Sequence, residues 1–180
     1  MFGLFGKKEK GLLVHDRIWL SDRAKFKACL NLKHSNPNVV FVAWFEETKN
    51  NLELYFKENQ LEDEVYLGDR LSSMHQDKDL IFIEHHPLQS EEHIIANQLS
   101  KKEIMVYSSI SEPIFQLFGG DKMIELMKKM GMKEDEMIEH EMISKSIMRA
   151  QEKIAETTTQ YTSAKSQGEW LQNGGHTDQL

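Results

Sequence analysis

Side chains capable of chemistry are concentrated in one short stretch, residues 84–93. The stretch contains three carboxylates and three imidazoles, at Glu84, His85, His86, Glu91, Glu92 and His93. Such groups bind zinc or exchange protons in enzymes. A metal site needs three or four ligands that converge on one point, and the spacing here matches no established ligand pattern. We therefore predict neither a metal site nor an acid/base pair.

The elements around this stretch predict where its side chains lie. Residues 79–86, DLIFIEHH, predict a strand, and Pro87 suits the first turn of a following helix. His86 is then expected at the helix N-cap, with Glu84 and His85 at the strand end. One interpretation is a solvated strand-to-helix turn. The other is a ligand-binding crevice, because α/β folds bind ligands at the carboxyl ends of parallel strands.

Short apolar runs alternate with amphipathic stretches throughout the first two thirds of the chain, as is typical of βα units. The clearest strand is the apolar run VVFVA at residues 39–43, which follows an Asn-Pro-Asn turn signal. Further strands are predicted within residues 11–20, 64–69, 79–86 and 103–110. The pattern indicates an α/β fold with a mostly parallel sheet of about five strands flanked by helices.

Helices are predicted between and after these strands. The first begins at Ser21 or Asp22 and buries Cys29 as a small apolar side chain. The second begins near Glu46 and is expected to turn four apolar side chains inward, at Leu52, Leu54, Tyr55 and Phe56. Three more are predicted within residues 112–120, 121–131 and 135–156, with Asp121 capping the middle one.

The chain divides into four segments by composition. Residues 1–10 are expected to be flexible, residues 11–118 form the α/β domain, and residues 119–157 form a helical extension. Residues 158–180 are rich in Ser, Thr, Gln and Gly, with the isolated Trp170. Such a segment buries too little apolar area to order itself, so we predict a disordered tail.

Charge and composition exclude several functions. The net charge is −7 and no basic stripe is visible, which argues against nucleic-acid binding. Cys29 is the only cysteine, so no internal disulfide is possible and a reducing cytoplasm is expected. Phe2, Leu4 and Phe5 precede three lysines in the order opposite to that of a signal peptide. This end of the chain is either frayed or in weak contact with an anionic membrane.

Motifs for nucleotide binding and for nucleophilic catalysis are also missing from the sequence. There is no G-x-x-x-x-G-K-[ST] phosphate loop, no nucleophile elbow and no dinucleotide fingerprint. We therefore expect no cofactor. The methionines Met123, Met127 and Met130 give the helix at residues 121–131 two apolar sides. They either fill irregular core space or form an adaptable surface for a protein partner.

A long block of sequence resembles a known family. Asn-Gln-Leu at residues 97–99 is followed by IMVYSSISEPIFQLFGGDKMIELMKKMGMKEDEMIEHEMISKSIMRAQEKI at residues 104–154. This block is similar to the end of the second RecA-like motor domain of SecA, the motor ATPase of bacterial protein export, and to the start of its following long helix. The resemblance implies a RecA-like fold.

The sequence departs from this family where ATP is contacted. In the family, an arginine- and glycine-rich segment follows Gln-Leu and its arginines reach ATP, whereas here SKKEI follows Gln98 and Leu99. The family's glycine-rich threonine-aspartate segment and its first motor domain have no counterpart. Lysine lacks the planar fork of arginine, and loss of an arginine finger slows catalysis by about 10³-fold or more.

These observations lead to three hypotheses. The first is a non-catalytic, SecA-like single motor domain that binds another protein, either the export motor or a component of an export or envelope pathway. The second is a nucleotide-binding regulator in which Gln98, Lys101 and Lys102 contact phosphate when a partner supplies the phosphate loop. The third is a scaffold that contacts the membrane through Phe2, Leu4 and Phe5.

Overall fold

Five parallel strands form the centre of the protein, whose computed structural model describes residues 11–159 and 163–176. The strands are β1 (Leu13–Trp19), β2 (Val39–Ala43), β3 (Val65–Leu67), β4 (Asp79–Phe82) and β5 (Glu103–Ser109). Their order across the sheet is β1-β5-β4-β2-β3, and all four pairings are parallel. The predicted α/β fold is confirmed, and the arrangement is consistent with a RecA-like fold.

Seven helices accompany the sheet in the described residues. They are α1 (Asp22–Ser35), α2 (Glu46–Glu58), α3 (Gln89–Gln98), α4 (Pro113–Gln116), α5 (Gly120–Lys129), α6 (Glu141–Thr157) and α7 (Gln167–Asn173). Ser21 caps α1 as predicted, because its Oγ accepts a hydrogen bond from Ala24 N at 3.2 Å. Asp121 does not cap α5, since the N-cap is Gly119, whose φ of 85° lies in the left-handed region that favours glycine.

The two faces of the sheet carry separate apolar clusters. One cluster lies under α1 and α2 and includes Cys29, Leu52 and Phe56, all fully buried as predicted. Leu54 was expected to point inward as well, but it is 56% exposed. Positions two apart on a helix do not share a face, so Leu54 turns away when Leu52 is buried. The other cluster includes Phe82, Ile95 and Val106 and lies under α3.

A third apolar cluster joins the strand ends to the last helices. It contains Ile18 from β1, Phe115 from α4, Ile147 from α6 and Trp170 from α7. The predicted extension at residues 119–157 is mainly helical, and it shares this core with the end of the α/β segment.

The predicted disordered tail is wrong for residues 163–176. This segment contains α7, and Trp170 is only 2% exposed. The prediction failed because it counted apolar residues within the tail alone, whereas Trp170 and Leu171 bury themselves against helices α4 and α6 from outside it.

One structural finding concerns membrane contact. Within the described ranges, no helix combines the length and apolar character needed to cross a membrane. The flexible segment predicted at residues 1–10, with Phe2, Leu4 and Phe5, lies outside the described residues.

Candidate functional site

The carboxyl edge of β4 carries the three consecutive residues Glu84, His85 and His86. Ile83 N still donates to Val42 O of β2 at 2.8 Å, so the stretch begins at the centre of the sheet. All three side chains are buried. The predicted solvated turn is therefore wrong, because helices that follow later in the chain cover it. The helix N-cap is Leu88 rather than His86, since α3 begins at Gln89.

His85 is held between two buried carboxylates. Its Nε2 lies 2.9 Å from Asp16 Oδ1 of β1, and its Nδ1 lies 2.9 Å from Glu92 Oε1 of α3. Burial favours a lower pKa for His85, but the carboxylates outweigh burial and raise it well above the ordinary value. With both ring nitrogens occupied, His85 has none left for a metal ion or for proton transfer to a substrate.

Glu84 ties the ends of two neighbouring strands together. Its Oε1 accepts hydrogen bonds from the amides of Trp44 and Phe45, at 2.9 and 3.0 Å, directly after β2. Its Oε2 accepts from Thr48 Oγ1 at 2.7 Å. Burial raises the pKa of Glu84 to about 7, although the hydrogen bond from Thr48 opposes the shift.

His86 lies among aromatic rings instead of charges. Its ring is stacked on Phe45 at 5.8 Å between centroids and meets Trp44 and Trp170 edge-on at 5.3 and 5.6 Å. Its Nδ1 accepts a hydrogen bond from Leu88 N at 3.0 Å. Burial lowers the pKa of His86 to about 4, so the imidazole is neutral at physiological pH.

Two buried glutamines fix the backbone of this stretch. Gln151 of α6 donates to His86 O at 2.8 Å, and Gln167 of α7 donates to His85 O at 2.9 Å. Gln167 Oε1 also accepts from Ile114 N at 2.8 Å. The last two helices therefore hold the carboxyl end of β4 in place through hydrogen bonds as well as apolar contacts.

A second buried charge network lies beside Glu84. Lys25 of α1 is 1% exposed and donates to Ile83 O at 2.9 Å and to Glu112 Oε1 at 2.7 Å. Its Nζ is also 3.0 Å from Asp22 Oδ1. Burial lowers the pKa of Lys25, but the charges of Glu112 and Asp22 outweigh burial and raise it above the usual value. Lys25 is therefore a charged, structurally paired ammonium and not a nucleophile.

Lys25 lines a crevice of about 200 Å³ at the carboxyl ends of the strands. This is where α/β folds bind ligands. Four carboxylates also line it, from Asp22, Glu47, Glu84 and Glu112. Since the only lysine among the lining residues is already paired with two of these carboxylates, the crevice offers phosphate no unpaired lysine. Its chemistry differs from that of a triphosphate cradle.

Metal chemistry and thiol chemistry find little support in the described ranges. No group of three or more His, Cys, Asp or Glu side chains there is placed to hold a metal ion. Cys29 is fully buried, as predicted, and burial raises the pKa of its thiol to about 12. A protonated, inaccessible thiol is a poor nucleophile.

The residues predicted to contact phosphate lie at the opposite edge of the sheet. Lys101 and Lys102 directly precede β5, at its amino end, and line a cavity of about 640 Å³ with Lys78. Lys101 Nζ donates to Lys78 O at 3.0 Å. Gln98 ends α3, is exposed and does not line this cavity. The structure therefore brings the two lysines together but leaves Gln98 apart.

The three methionines predicted as partner contacts have different environments. Met123 and Met127 of α5 are half-buried and pack against the third apolar cluster. Met130 is 78% exposed, and Leu126, one helical turn before it, is 59% exposed. Met123 and Met127 thus contribute to the core, whereas Leu126 and Met130 form an apolar surface on α5.

Sequence reasoning missed Lys25, Gln167 and Trp170. Lys25 lies four residues before Cys29 and so shares its buried helix face, which was a usable signal. Ser166 and Glu169 have the spacing of a helix start, and Ser166 Oγ does accept from Glu169 N at 3.0 Å. That signal predicts a helix at α7 despite the polar composition around it.

Comparison with known proteins identifies one related segment. No protein-family model matches the chain. The protein translocase subunit SecA 1 of Alkaliphilus metalliredigens is 50% identical over 48 residues, which is 27% of this chain and 5% of that protein. The SecA subunits of Acinetobacter baumannii and Psychrobacter cryohalolentis are each 46% identical over 48 residues, with the same coverage. This chain therefore contains a SecA-related segment and spans about 5% of the length of these relatives.

Proposed function

We propose that the protein is a non-catalytic, SecA-like single motor domain that binds another protein and is linked to protein export. The SecA-related segment supports the link to export. The observation that carries the non-catalytic part is the pairing of Lys25 with Glu112 and Asp22 in the crevice at the carboxyl edge.

The electrostatics of this crevice disfavour a bound triphosphate. A triphosphate would lie near Glu47 and the paired carboxylates of Asp22 and Glu112, and like charges in a low-dielectric site repel strongly. Release of Lys25 to bind phosphate would leave Glu112 buried without its partner, which costs several kcal/mol, about 3–5. We therefore expect no turnover of ATP by this chain.

The surface formed by Leu126 and Met130 is suited to a protein partner. Leu126 of α5 and Met130 at its C-cap are both exposed, while Met123 and Met127 pack α5 on the core. A helix anchored on one side presents its outer face rigidly, while methionine adapts to irregular contacts. Exposed apolar groups of this kind mark binding surfaces more often when they are adjacent.

Binding to purified SecA from the same cells tests this proposal directly. The double variant Leu126→Ser/Met130→Ser should weaken saturable binding by about tenfold or more, because apolar anchors dominate interface energies. The matched control is Leu54→Ser/Met74→Ser, which removes two other exposed apolar side chains. If neither SecA nor its export partners bind the unmodified protein, the link to export is wrong.

Hydrolysis of ATP tests the non-catalytic part separately. The purified protein should show no hydrolysis above background, with or without SecA substrate proteins. Activity that disappears in Lys101→Gln/Lys102→Gln would contradict the proposal, because it would assign turnover to the lysines before β5.

A nucleotide-binding regulator is the second candidate, favoured by the cavity that Lys78, Lys101 and Lys102 line at the amino edge. In this case a partner supplies the phosphate loop and the lysines offset phosphate charge. Calorimetry with ATP and ADP separates the candidates. Neither candidate gives heat beyond dilution alone. The regulator raises the nucleotide affinity of the partner that supplies the phosphate loop, whereas the protein-binding module leaves that affinity unchanged.

A further inference from the structure

A second cavity at the carboxyl edge has aromatic walls. Its volume is about 450 Å³, and it lies beyond the ends of β2, β3 and β4, under the segment that leads into α7. Four rings line it, from Trp44, Phe45, His86 and Trp170. The crevice around Lys25 is separate, with no aromatic residue in common.

The rings form one connected group around His86. Phe45 stacks on the imidazole with an interplanar angle of 14°, and Trp44 and Trp170 approach it at 74° and 73°. Trp44 also stacks on Phe82 of β4, which holds the indole in position. Gly68 makes room for it, since a Cβ there would be 2.6 Å from Trp44 Cζ3. The aromatic wall is therefore fixed by packing.

The rim of the cavity is acidic. Carboxylates line it at four positions, Glu46, Asp69, Glu91 and Glu169, against the single basic side chain of Lys165 among the described residues. Burial lowers the pKa of His86 to about 4, so the central ring adds no positive charge at neutral pH. An anion would be repelled by this rim, and a neutral apolar ligand would leave its charges unused.

We propose that this aromatic cavity binds an organic cation, an alkylammonium or guanidinium group. A cation over aromatic faces is attracted by their quadrupoles, and the surrounding carboxylates add charge complementarity. The carboxylates are spread around the rim and do not converge, which suits a diffuse organic cation better than a metal ion. This inference does not depend on the proposed role in protein export.

Tetramethylammonium is the simplest probe for this site. The full chain has three tryptophans. Trp44 and Trp170 are at the cavity, and the third, Trp19, packs against Tyr107 elsewhere. In nitrogen-15 spectra, tetramethylammonium chloride should shift the indole signals of Trp44 and Trp170 saturably and leave that of Trp19 unchanged. Sodium chloride at equal ionic strength and tert-butyl alcohol, a neutral analogue of similar shape, are the controls. Equal shifts with tert-butyl alcohol, or no saturable shift, overturn the proposal.

Substitutions at the rim test the role of charge without removing a ring. Asp69→Asn/Glu91→Gln should weaken tetramethylammonium binding several-fold, and Lys165→Gln should strengthen it, because the three residues are exposed or half-exposed and their charges act across the cavity. Trp44→Leu, which keeps an apolar side chain but removes the indole, should weaken binding about fivefold or more. Equal affinities for Asp69→Asn/Glu91→Gln and Lys165→Gln, or tighter binding by the former than by the latter, contradict a charge-dependent site.

Two further ligands distinguish the sources of such a cation. Choline represents a free small molecule, and the peptide Gly-Arg-Gly, compared with Gly-Gln-Gly, represents a side chain of a protein. Tighter binding of choline assigns the site to a small molecule, and tighter binding of the arginine peptide assigns it to a basic segment of a protein. Failure of both, together with failure of tetramethylammonium, overturns the site itself.

Discussion

His85 and His86 are neighbours in the sequence and are both buried, yet the imidazole of His85 is positively charged and that of His86 is neutral. Burial pushes the pKa of both rings down. The carboxylates of Asp16 and Glu92 reverse this effect for His85 and raise its pKa, whereas His86 meets only rings and backbone and its pKa falls to about 4. The groups that contact a buried histidine, more than its degree of burial, determine whether it is charged.

The two environments also differ in what they can still bind. On the His85 side, both ring nitrogens are occupied and Gln151 of α6 donates to Glu92, although these groups still line a cavity of about 210 Å³. On the His86 side, a cavity of about 450 Å³ is lined by four rings, of which Trp44 is the least buried. One edge of the sheet thus combines an ionic cluster around His85, whose ring nitrogens are both paired, with an aromatic cavity around His86, which is available for a ligand.

The largest expected effect follows from removal of the charged ring. His85→Leu leaves Asp16 and Glu92 buried without their cation, and the loss of one partner of a buried ion pair costs about 3–5 kcal/mol. Urea unfolding followed by circular dichroism measures the change in the free energy of unfolding.

His86→Leu is the matched control for that substitution. It replaces a neutral ring among aromatic neighbours with an apolar side chain, so it should cost less than about 1.5 kcal/mol. Similar losses of unfolding free energy in the two variants would contradict the assignment of a charged His85 and a neutral His86.

The pH dependence of stability gives the next largest effect. The unfolded His86 takes up a proton near its ordinary pKa of about 6.5, but the folded ring resists protonation until about pH 4, so protons favour the unfolded state between these values. The folded protein should lose about 2 kcal/mol through His86 as the pH falls from about 7 to about 5.

The comparison with His86→Leu isolates this contribution. Other groups titrate over the same range, including Glu84, whose raised pKa of about 7 acts in the opposite direction, but they are common to both proteins. The difference in unfolding free energy between the unmodified protein and the variant should therefore shift by about 2 kcal/mol in favour of the variant as the pH falls from about 7 to about 5, so that the two curves cross. Parallel curves would show that His86 is not buried as a neutral ring.

The sequence predicts the strands of the sheet, but it does not predict the burial of the residues at the carboxyl edge. Apolar runs such as residues 39–43 predict strands because they must be buried, whatever surrounds them. The burial of Glu84, His85 and His86 depends on helices that arrive more than fifty residues later, through Gln151 and Gln167. No local pattern around residue 84 carries that information.

The phosphate prediction has a related limit. The resemblance predicts phosphate contacts for Lys101 and Lys102 from their position after Gln98-Leu99, but the start of β5 places them at the amino edge of the sheet. Lys25 was overlooked because a lysine on a helix is usually solvated, and its carboxylate Glu112 lies 87 residues away. Long-range charge pairs of this kind have no sequence signature.

Gln167 connects α7 to the His85 side and offers a smaller test. Gln167→Leu removes the donor to His85 O and the acceptor from Ile114 N, which leaves two buried backbone groups unpaired and should cost about 1–2 kcal/mol. Urea unfolding measures the loss. The control is Gln116→Leu, whose side chain makes an exposed hydrogen bond to Asp121 and should change stability by less than about 0.5 kcal/mol.

Removal of the N-cap of α7 has the smallest expected effect on stability, and it acts on the His85 side and the His86 side together. Ser166→Ala removes the hydrogen bond from Glu169 N to Ser166 Oγ, which should cost about 0.5–1 kcal/mol. Because α7 carries both Gln167 and Trp170, fraying of its first turn should raise hydrogen exchange at Ile114 N and shift the emission of Trp170. Ser90→Ala, at an exposed position of α3, is the control and should change neither. If Ser166→Ala moved only one of the two signals, the ionic cluster around His85 and the aromatic cavity would not depend on α7 as a common support.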